Sequence, residues 1–214
     1  MSHTLFVTAT NTNVGKTYTT LVLLKAFAKQ GFRVGALKPI ETGVSNTPND
    51  GKKLLKLSQK LNPDFKNISL DDVVPVTFKL PAAPIVAKTD YSIDFYKIKK
   101  AFQKISKVCD IVFIEGAGGL LVPVEKDFFM VDFIDFFQAK TLLVTSGKLG
   151  CINDTLLSIN LLNQRNIDFT WCINIKNNYK KFSKTTLPYY KDIFDKIYIL
   201  QTNKKALIKK LFNA

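Results

Sequence analysis

The chain is predicted to adopt a doubly wound α/β fold, a mostly parallel sheet with helices on both faces. Three observations predict it. Short apolar runs alternate with longer amphipathic ones along the 214 residues. Central runs such as Ile111-Val112-Phe113-Ile114 are continuously apolar, which suits strands covered on both faces. The first run leads into "TATNTNVGKT", where Gly15-Lys16-Thr17 stands between a strand and a long helical pattern, as in a phosphate-binding P-loop. The expected architecture is therefore the P-loop NTPase fold.

In chain order, Thr4–Thr8 is the first strand and Lys16–Gln30 the first helix, stopped by Gly31. Arg33–Lys38 is the second strand, broken by Pro39. Asp110–Gly116, Thr141–Ser146, Phe169–Asn174 and Lys196–Leu200 read as further strands. Ile93–Lys107, Val131–Phe137 and Asn153–Gln164 read as helices. The stretch from Thr42 to Pro84, rich in Asn, Asp and Pro, is the least regular and a place for active-site loops. With no repeat, low-complexity tract or linker, residues 1–214 are expected to form one domain.

Composition narrows the function. At 46% hydrophobic residues the chain can bury a sizeable core, which argues against disorder. The net charge of +14 is large, but the lysines are scattered, with a mild excess after Lys176. No zinc-finger spacing or RNP-like aromatic run accompanies them, so nucleic acid is not the expected partner. Cys109, Cys151 and Cys172 form no C-x-x-C pair and read as reduced thiols. The single histidine, His3, argues against a His-based zinc centre. No signal peptide or membrane span is evident, so a soluble, cytoplasmic protein without a membrane partner is expected.

Ligands of open parallel sheets collect at the carboxyl ends of the strands, so the residues after each strand carry the search. After the first, a loop feeding a helix at Lys16 aims backbone N–H groups and the helix dipole at a phosphate. Lys16 can reach the β and γ oxygens and Thr17 can hold Mg²⁺ through its hydroxyl. The generic pattern asks for glycine where Thr10 stands; threonine is tolerable if its backbone avoids a glycine-only conformation. After the second strand, "KPIETG" offers Lys38 and the Thr42 hydroxyl as an anion clamp, or an exposed lysine before a turn. After the middle strand, "EGAGG" places Glu115 like a Walker-B carboxylate, with glycines that admit a ligand close to the backbone. After the next, "SGKLGCIND" opens a helix near Asn153 whose free N–H groups can hold a carboxylate.

Together, "TATNTNVGKT", "LKPIETG", "VFIEGAGG", "GKLGCIN" and "WCIN" resemble the dethiobiotin synthetase family, in order from about Thr4 to Asn174. The resemblance implies an ATP-dependent cyclo-ligase of biotin biosynthesis, using Mg²⁺, CO₂ and 7,8-diaminononanoate and usually homodimeric. It gives Lys16 and Thr17 the phosphate and metal roles, within a nucleotide loop of Asn13, Val14, Gly15 and Tyr18. Lys38 and Thr42 would lie beside the transferred phosphate and the carbamate, and Thr12 close to the substrate. Glu115 matches a metal-binding glutamate in a glycine motif that continues through Gly118 and Gly119. Asp50 is the counterpart of a metal-binding aspartate. The backbone of Gly150, Cys151, Ile152 and Asn153 would grip the substrate carboxylate across a dimer interface, and Asn174 would read the purine edge. The tyrosine that holds the substrate tail would be Tyr189 or Tyr190.

This chain departs from the family at its end. Ile175 stands where an aspartate is usual, and "IYILQTNKKALIKKLFNA" is expected to lack both the Pro/Trp segment and the C-terminal helix of the base pocket. That bears on ATP against GTP selectivity and on nucleotide affinity. Two other readings compete. A partitioning or switch ATPase usually carries a signature lysine where Asn11 stands, and an amide-forming ligase would lack "KLGCIN".

Overall fold

The computed structural model describes residues 2–89 and 92–213. The elements run β1 (His3–Ala9), α1 (Lys16–Ala28), β2 (Val34–Leu37), β3 (Ile40–Thr42), α2 (Asn49–Leu61), α3 (Leu70–Val73), β4 (Val76–Phe78), α4 (Pro84–Ala87), α5 (Phe95–Ser106) and β5 (Ile111–Glu115). They continue with β6 (Pro123–Glu125), β7 (Phe128–Phe129), α6 (Phe133–Phe136), β8 (Lys140–Ser146), α7 (Cys151–Gln164), β9 (Phe169–Asn174), α8 (Tyr179–Thr185), α9 (Leu187–Ile193) and α10 (Lys204–Asn213).

The central sheet has the order β2-β5-β1-β8-β9 and is parallel throughout. β1 is its middle strand, paired to β5 from His3↔Ile111 to Val7↔Glu115 and to β8 from Leu5↔Lys140 to Ala9↔Val144. The chain leaves β1 toward β2 on one side and reaches β8 and β9 on the other, so the carboxyl end of β1 is the switch point where such sheets bind ligands. The continuous apolar runs are explained by burial: Phe6, Val7, Val112, Phe113, Ile114, Leu142, Leu143 and Val144 are fully buried. Helices packed around the sheet supply that cover.

Eight of the ten expected strands and helices hold to within two residues; the differences have local causes. The stretch expected to be irregular, Thr42–Pro84, contains α2, a 3₁₀ turn at Pro63–Asn67, α3 and β4. Its polar composition hid an amphipathic helix: α2 buries Gly51, Leu54 and Ser58 along one face and turns its lysines outward. The helix expected at Val131–Phe137 is divided into a 3₁₀ turn, Met130–Asp132, and the short α6. α5 starts two residues later than expected because Asp94 caps it, its side chain accepting from Lys97 N–H at 2.8 Å.

The chain end requires two corrections. Lys196–Leu200 is no strand; it makes a single parallel bridge, Ile199 to Ile173. Pairing stops there because the backbone turns at once, with the N–H groups of Thr202 and Asn203 donating back to the Ile199 carbonyl. The expected absence of a C-terminal helix is overturned by α10. Its far end packs at the amino ends of the strands, where Phe212 meets Phe32 at a ring-centroid distance of 5.4 Å.

β9, α8 and α9 join in an aromatic cluster of Trp171, Phe182, Tyr190 and Phe194. Tyr190 is fully buried there. Its hydroxyl donates to the Cys151 carbonyl (3.1 Å) and lies 3.0 Å from Thr155 Oγ1, which in turn is 2.7 Å from Thr145 Oγ1. The phenol thus ties α9 to the first turn of α7 and, through Thr155, to the end of β8. Tyr190→Phe is expected to lower stability in urea by about 1 kcal/mol, the net worth of a buried neutral hydrogen bond. Tyr189→Phe, at an exposed position, should leave the midpoint unchanged.

Candidate active site

The loop after β1 stays attached to the sheet through Thr10, whose N–H donates to the Val144 carbonyl at 3.0 Å. Left-handed backbone occurs in this loop at Asn13 (φ 60°) and Gly15 (φ 106°), not at Thr10. The missing glycine therefore costs nothing. Gly15 is the position that cannot change: a Cβ there would be strained and would collide with the Asn174 side-chain amide. α1 begins at Lys16, and the N–H groups of Lys16, Thr17 and Tyr18 have no carbonyl within the helix to bond.

Lys16 is nearly buried, with its ammonium donating to the carbonyls of Gly118 (2.7 Å) and Asn11 (3.4 Å). Burial, and next the charge of Lys38, hold its pKa down to about 8. Lys38 follows β2 and is 4% exposed; its Nζ lies 2.8 Å from Glu115 Oε1. Burial opposes its charge, but the charge and hydrogen bond of Glu115, with Asp50 and Glu41 beyond, raise its pKa above the ordinary lysine value. The Thr17 hydroxyl donates to the same Glu115 oxygen, also at 2.8 Å. The other oxygen, Glu115 Oε2, is buried without a hydrogen-bond partner.

Asp50 opens α2 and faces this group. Burial opposes its charge, but Lys38, Lys53 and the Thr17 hydroxyl outweigh it and hold the carboxyl below the ordinary range. The arrangement is two ammonium groups, a helix N-terminus and a hydroxyl flanked by two carboxylates. Such a set can bind a polyphosphate together with a hard divalent cation.

The structure brings most of the sequence-derived residues into one cleft of about 520 Å³. Thr12, Asn13, Gly15, Lys16, Thr17 and Tyr18 line it from the loop and α1, and Lys38, Thr42, Asp50, Glu115 and Gly118 from the segments after β2 and β5 and the start of α2. Val14 and Asn174 instead line an adjoining cavity of about 550 Å³, with Asn13, Lys148, Lys176 and Lys181. The Asn174 amide is engaged at both ends, donating to the Val14 carbonyl (2.9 Å) and accepting from Gln201 Nε2 (2.7 Å). Gly119 and Gly150–Asn153 line neither space among the described residues. α7 starts at Cys151, two residues before the expected Asn153, after a left-handed Gly150 (φ 89°). Cys151 N–H is used by the Lys148 carbonyl, so the N–H groups of Ile152 and Asn153 are the free donors of that turn.

Three charged residues of the cleft escaped the sequence reading: Glu41, Lys53 and Lys176. Glu41 sits inside the very "KPIETG" that drew notice to Lys38, and an acid one residue before Thr42 was the available signal. Lys53 and Lys176 belong to charge patterns that carry no local signal.

Comparison with known proteins agrees with this geometry. A family model described as an AAA domain matches residues 3–207. The chain is 50% identical over 190 residues to an ATP-dependent dethiobiotin synthetase BioD of Sulfurovum sp. (strain NBC37-1), covering 89% of this chain and 90% of that protein. It is 39% identical to the protein of the same name from Wolinella succinogenes, with 98% of each chain covered. Among solved structures, the MinD cell division protein of Aquifex aeolicus superposes with a TM-score of 0.53 at 20% identity, over 92% of this chain and 81% of that one. A plasmid partition protein from Borrelia burgdorferi gives 0.55 at 12% identity, over 92% and 88%. Those two likenesses confirm the P-loop fold and carry no more than that. Extensive identity over nearly the full length of both dethiobiotin synthetases settles the affiliation: the chain belongs to the dethiobiotin synthetase family.

Proposed function

We propose that the chain is an ATP-dependent dethiobiotin synthetase, closing the ureido ring of dethiobiotin from 7,8-diaminononanoate and CO₂. The observation that carries this reading is the sharing of Glu115 Oε1 by the Lys38 ammonium and the Thr17 hydroxyl of the phosphate loop, each at 2.8 Å. That junction puts a cation-ready carboxylate and a buried, fixed positive charge where a terminal phosphate would lie.

The residues fit Mg²⁺. Thr17, Asp50 and Glu115 offer oxygen donors from a hydroxyl and two carboxylates, and the unpartnered Glu115 Oε2 is a buried acceptor awaiting a ligand. Bound there, Mg²⁺ would neutralise charge on the β and γ oxygens of ATP.

The reaction follows from substrate chemistry and the placed charges. One amine of the diamine takes up CO₂ as a carbamate, whose oxygen attacks the γ-phosphorus while the bond to ADP breaks. The second amine attacks the carbon of the resulting mixed anhydride, the C–O bond to phosphate breaks, and the ammonium proton is lost as the ring closes. Lys16 and Lys38 meet the charge spread over the transferred oxygens, and the α1 N–H groups hold the polyphosphate. Thr42 and Thr12, which line the same cleft, contact the carbamate and substrate. Holding both amines on one carbon gains effective molarity, worth up to about 7–11 kcal/mol in favourable cases. No nucleophilic side chain is required.

Among the described residues Ile152 and Asn153, with their free N–H groups, line neither of the two cavities above, which is consistent with delivery of the substrate carboxylate across a homodimer interface. Leu149, fully exposed in the loop before α7, and Leu157, 63% exposed on α7, mark this region as its surface. Of the two tyrosines, Tyr189 is accessible for a substrate tail, whereas Tyr190 is committed to α7.

Release of ADP in a coupled assay should require both diaminononanoate and bicarbonate; release indifferent to them would favour a nucleotide switch. Lys16→Gln should lower turnover by about a thousandfold or more with the thermal melt intact, as expected when a preorganised charge is removed. Sedimentation equilibrium should give twice the 24.1 kDa chain mass, and a monomer active at the same specific rate would overturn the shared site.

A further inference from the structure

We infer that Glu41 is the positioning residue that holds Asp50 in the active site. α2 starts without a cap of its own: Pro48 occupies the N-cap and has no side-chain acceptor. Glu41, on β3, fills that place from a distance. Its Oε1 accepts from the N–H of Asp50 (3.0 Å) and its Oε2 from that of Gly51 (2.9 Å), so one carboxylate closes the first turn of the helix bidentately. Glu41 is 7% exposed and has no ion-pair partner within 4.0 Å among the described residues. A buried carboxylate in that setting is held by the two amides, by the positive end of the helix and by the field of Lys38 nearby.

The consequence reaches the cation. Asp50 is the residue whose own N–H is gripped, and its side chain faces Lys38 and the Thr17 hydroxyl. Because β3 follows Lys38 directly, the Glu41 bond locks α2 to the same segment that carries the ammonium. The first turn of a helix frays most easily when its N–H groups lack partners. Without Glu41, Asp50 would swing with that turn toward solvent, where Lys53 already pairs with it at 3.1 Å.

This inference rests on the proposed cation role of Asp50, and the test separates the two. Mn²⁺ is titrated into the ADP complex of the full chain and free Mn²⁺ is read by electron paramagnetic resonance. Asp50→Asn should weaken Mn²⁺ binding, and Glu41→Ala should weaken it about fivefold to tenfold, in line with loss of a helix cap. The double variant should bind no more weakly than Asp50→Asn alone, since Glu41 acts through Asp50. The KM for diaminononanoate should stay within about twofold in Glu41→Ala, the effect being confined to the cation. Pro48→Ser placed in the Glu41→Ala background returns an oxygen to the N-cap and should restore most of the Mn²⁺ affinity. Unchanged binding in Asp50→Asn would remove Asp50 as a cation residue and the inference with it. Weakened binding in Asp50→Asn beside normal binding in Glu41→Ala, additive losses in the double variant, or no rescue by Pro48→Ser would overturn the role of Glu41 alone. Should Glu41→Ala fail to fold, Glu41→Gln retains one acceptor and is expected to show an intermediate loss; wild-type Mn²⁺ affinity there would equally overturn the role.

Discussion

The buried contact between Lys38 and Glu115 is the constraint on which the site depends. An ion pair taken out of water at 4% and 0% exposure is a poor source of stability, because desolvation of both charges offsets their attraction. Its value lies in what it leaves unsatisfied. Glu115 Oε1 serves Lys38 and Thr17 at once while Oε2 has no partner among the described residues, and Lys38, which also donates to the Gly116 carbonyl at 3.4 Å, retains one further N–H. The pair is thus a preformed set of open valences, one for a cation and one for an oxyanion, held in place before any ligand arrives.

That contact can form because β2 and β5 are neighbours in register, Leu37 beside Ile114, so that the next residues of the two strands, Lys38 and Glu115, emerge together. β1 lies on the other side of β5, with Val7 beside Glu115, and its loop returns over the same edge to present Thr17. Two strand ends therefore deliver Lys38 and Glu115 by sheet geometry, and the loop into α1 adds Thr17. A shift of one residue in either pairing would send Glu115 to the opposite face and dissolve the site. Lys16 completes the arrangement by bridging the loop to the Gly118 carbonyl, so the phosphate loop and the glycine motif after β5 move as one.

What the sequence revealed of this follows the range of the interactions involved. Gly15, Lys16 and Thr17 were legible because their roles are set within a few residues of one another, and Glu115 because it ends an apolar run. Even the anomaly at Thr10 could be judged in advance, since the question was its own backbone conformation. Glu41 was legible only as an acid beside Thr42; its capping of a helix that begins eight positions later was not, because nothing local marks a remote cap. α2 itself was hidden by a polar composition in which the buried face consists of Gly51, Leu54 and Ser58. α10 was missed for a similar reason: a lysine-rich pattern whose apolar face is satisfied by Phe32, far away in the chain. The failed strand at Lys196–Leu200 had the right composition and lost to the turn that follows it.

The fold likeness to MinD and to plasmid partition proteins sets a limit on what architecture can say. These chains share a sheet and a phosphate loop at 20% identity or less, yet a fold hosts many activities, so the discrimination has to come from the loops. In this chain Asn11 stands where partitioning ATPases place a signature lysine, and its carbonyl instead accepts from Lys16 of the same chain. The remaining charges converge inward: Lys38 and Lys16 both turn to the glycine motif after β5, and Asp50 is drawn in from α2. A switch protein needs its nucleotide contacts to alter a surface that a partner reads. Here the charged side chains surround a cleft of about 520 Å³, which suits the group transfer proposed above.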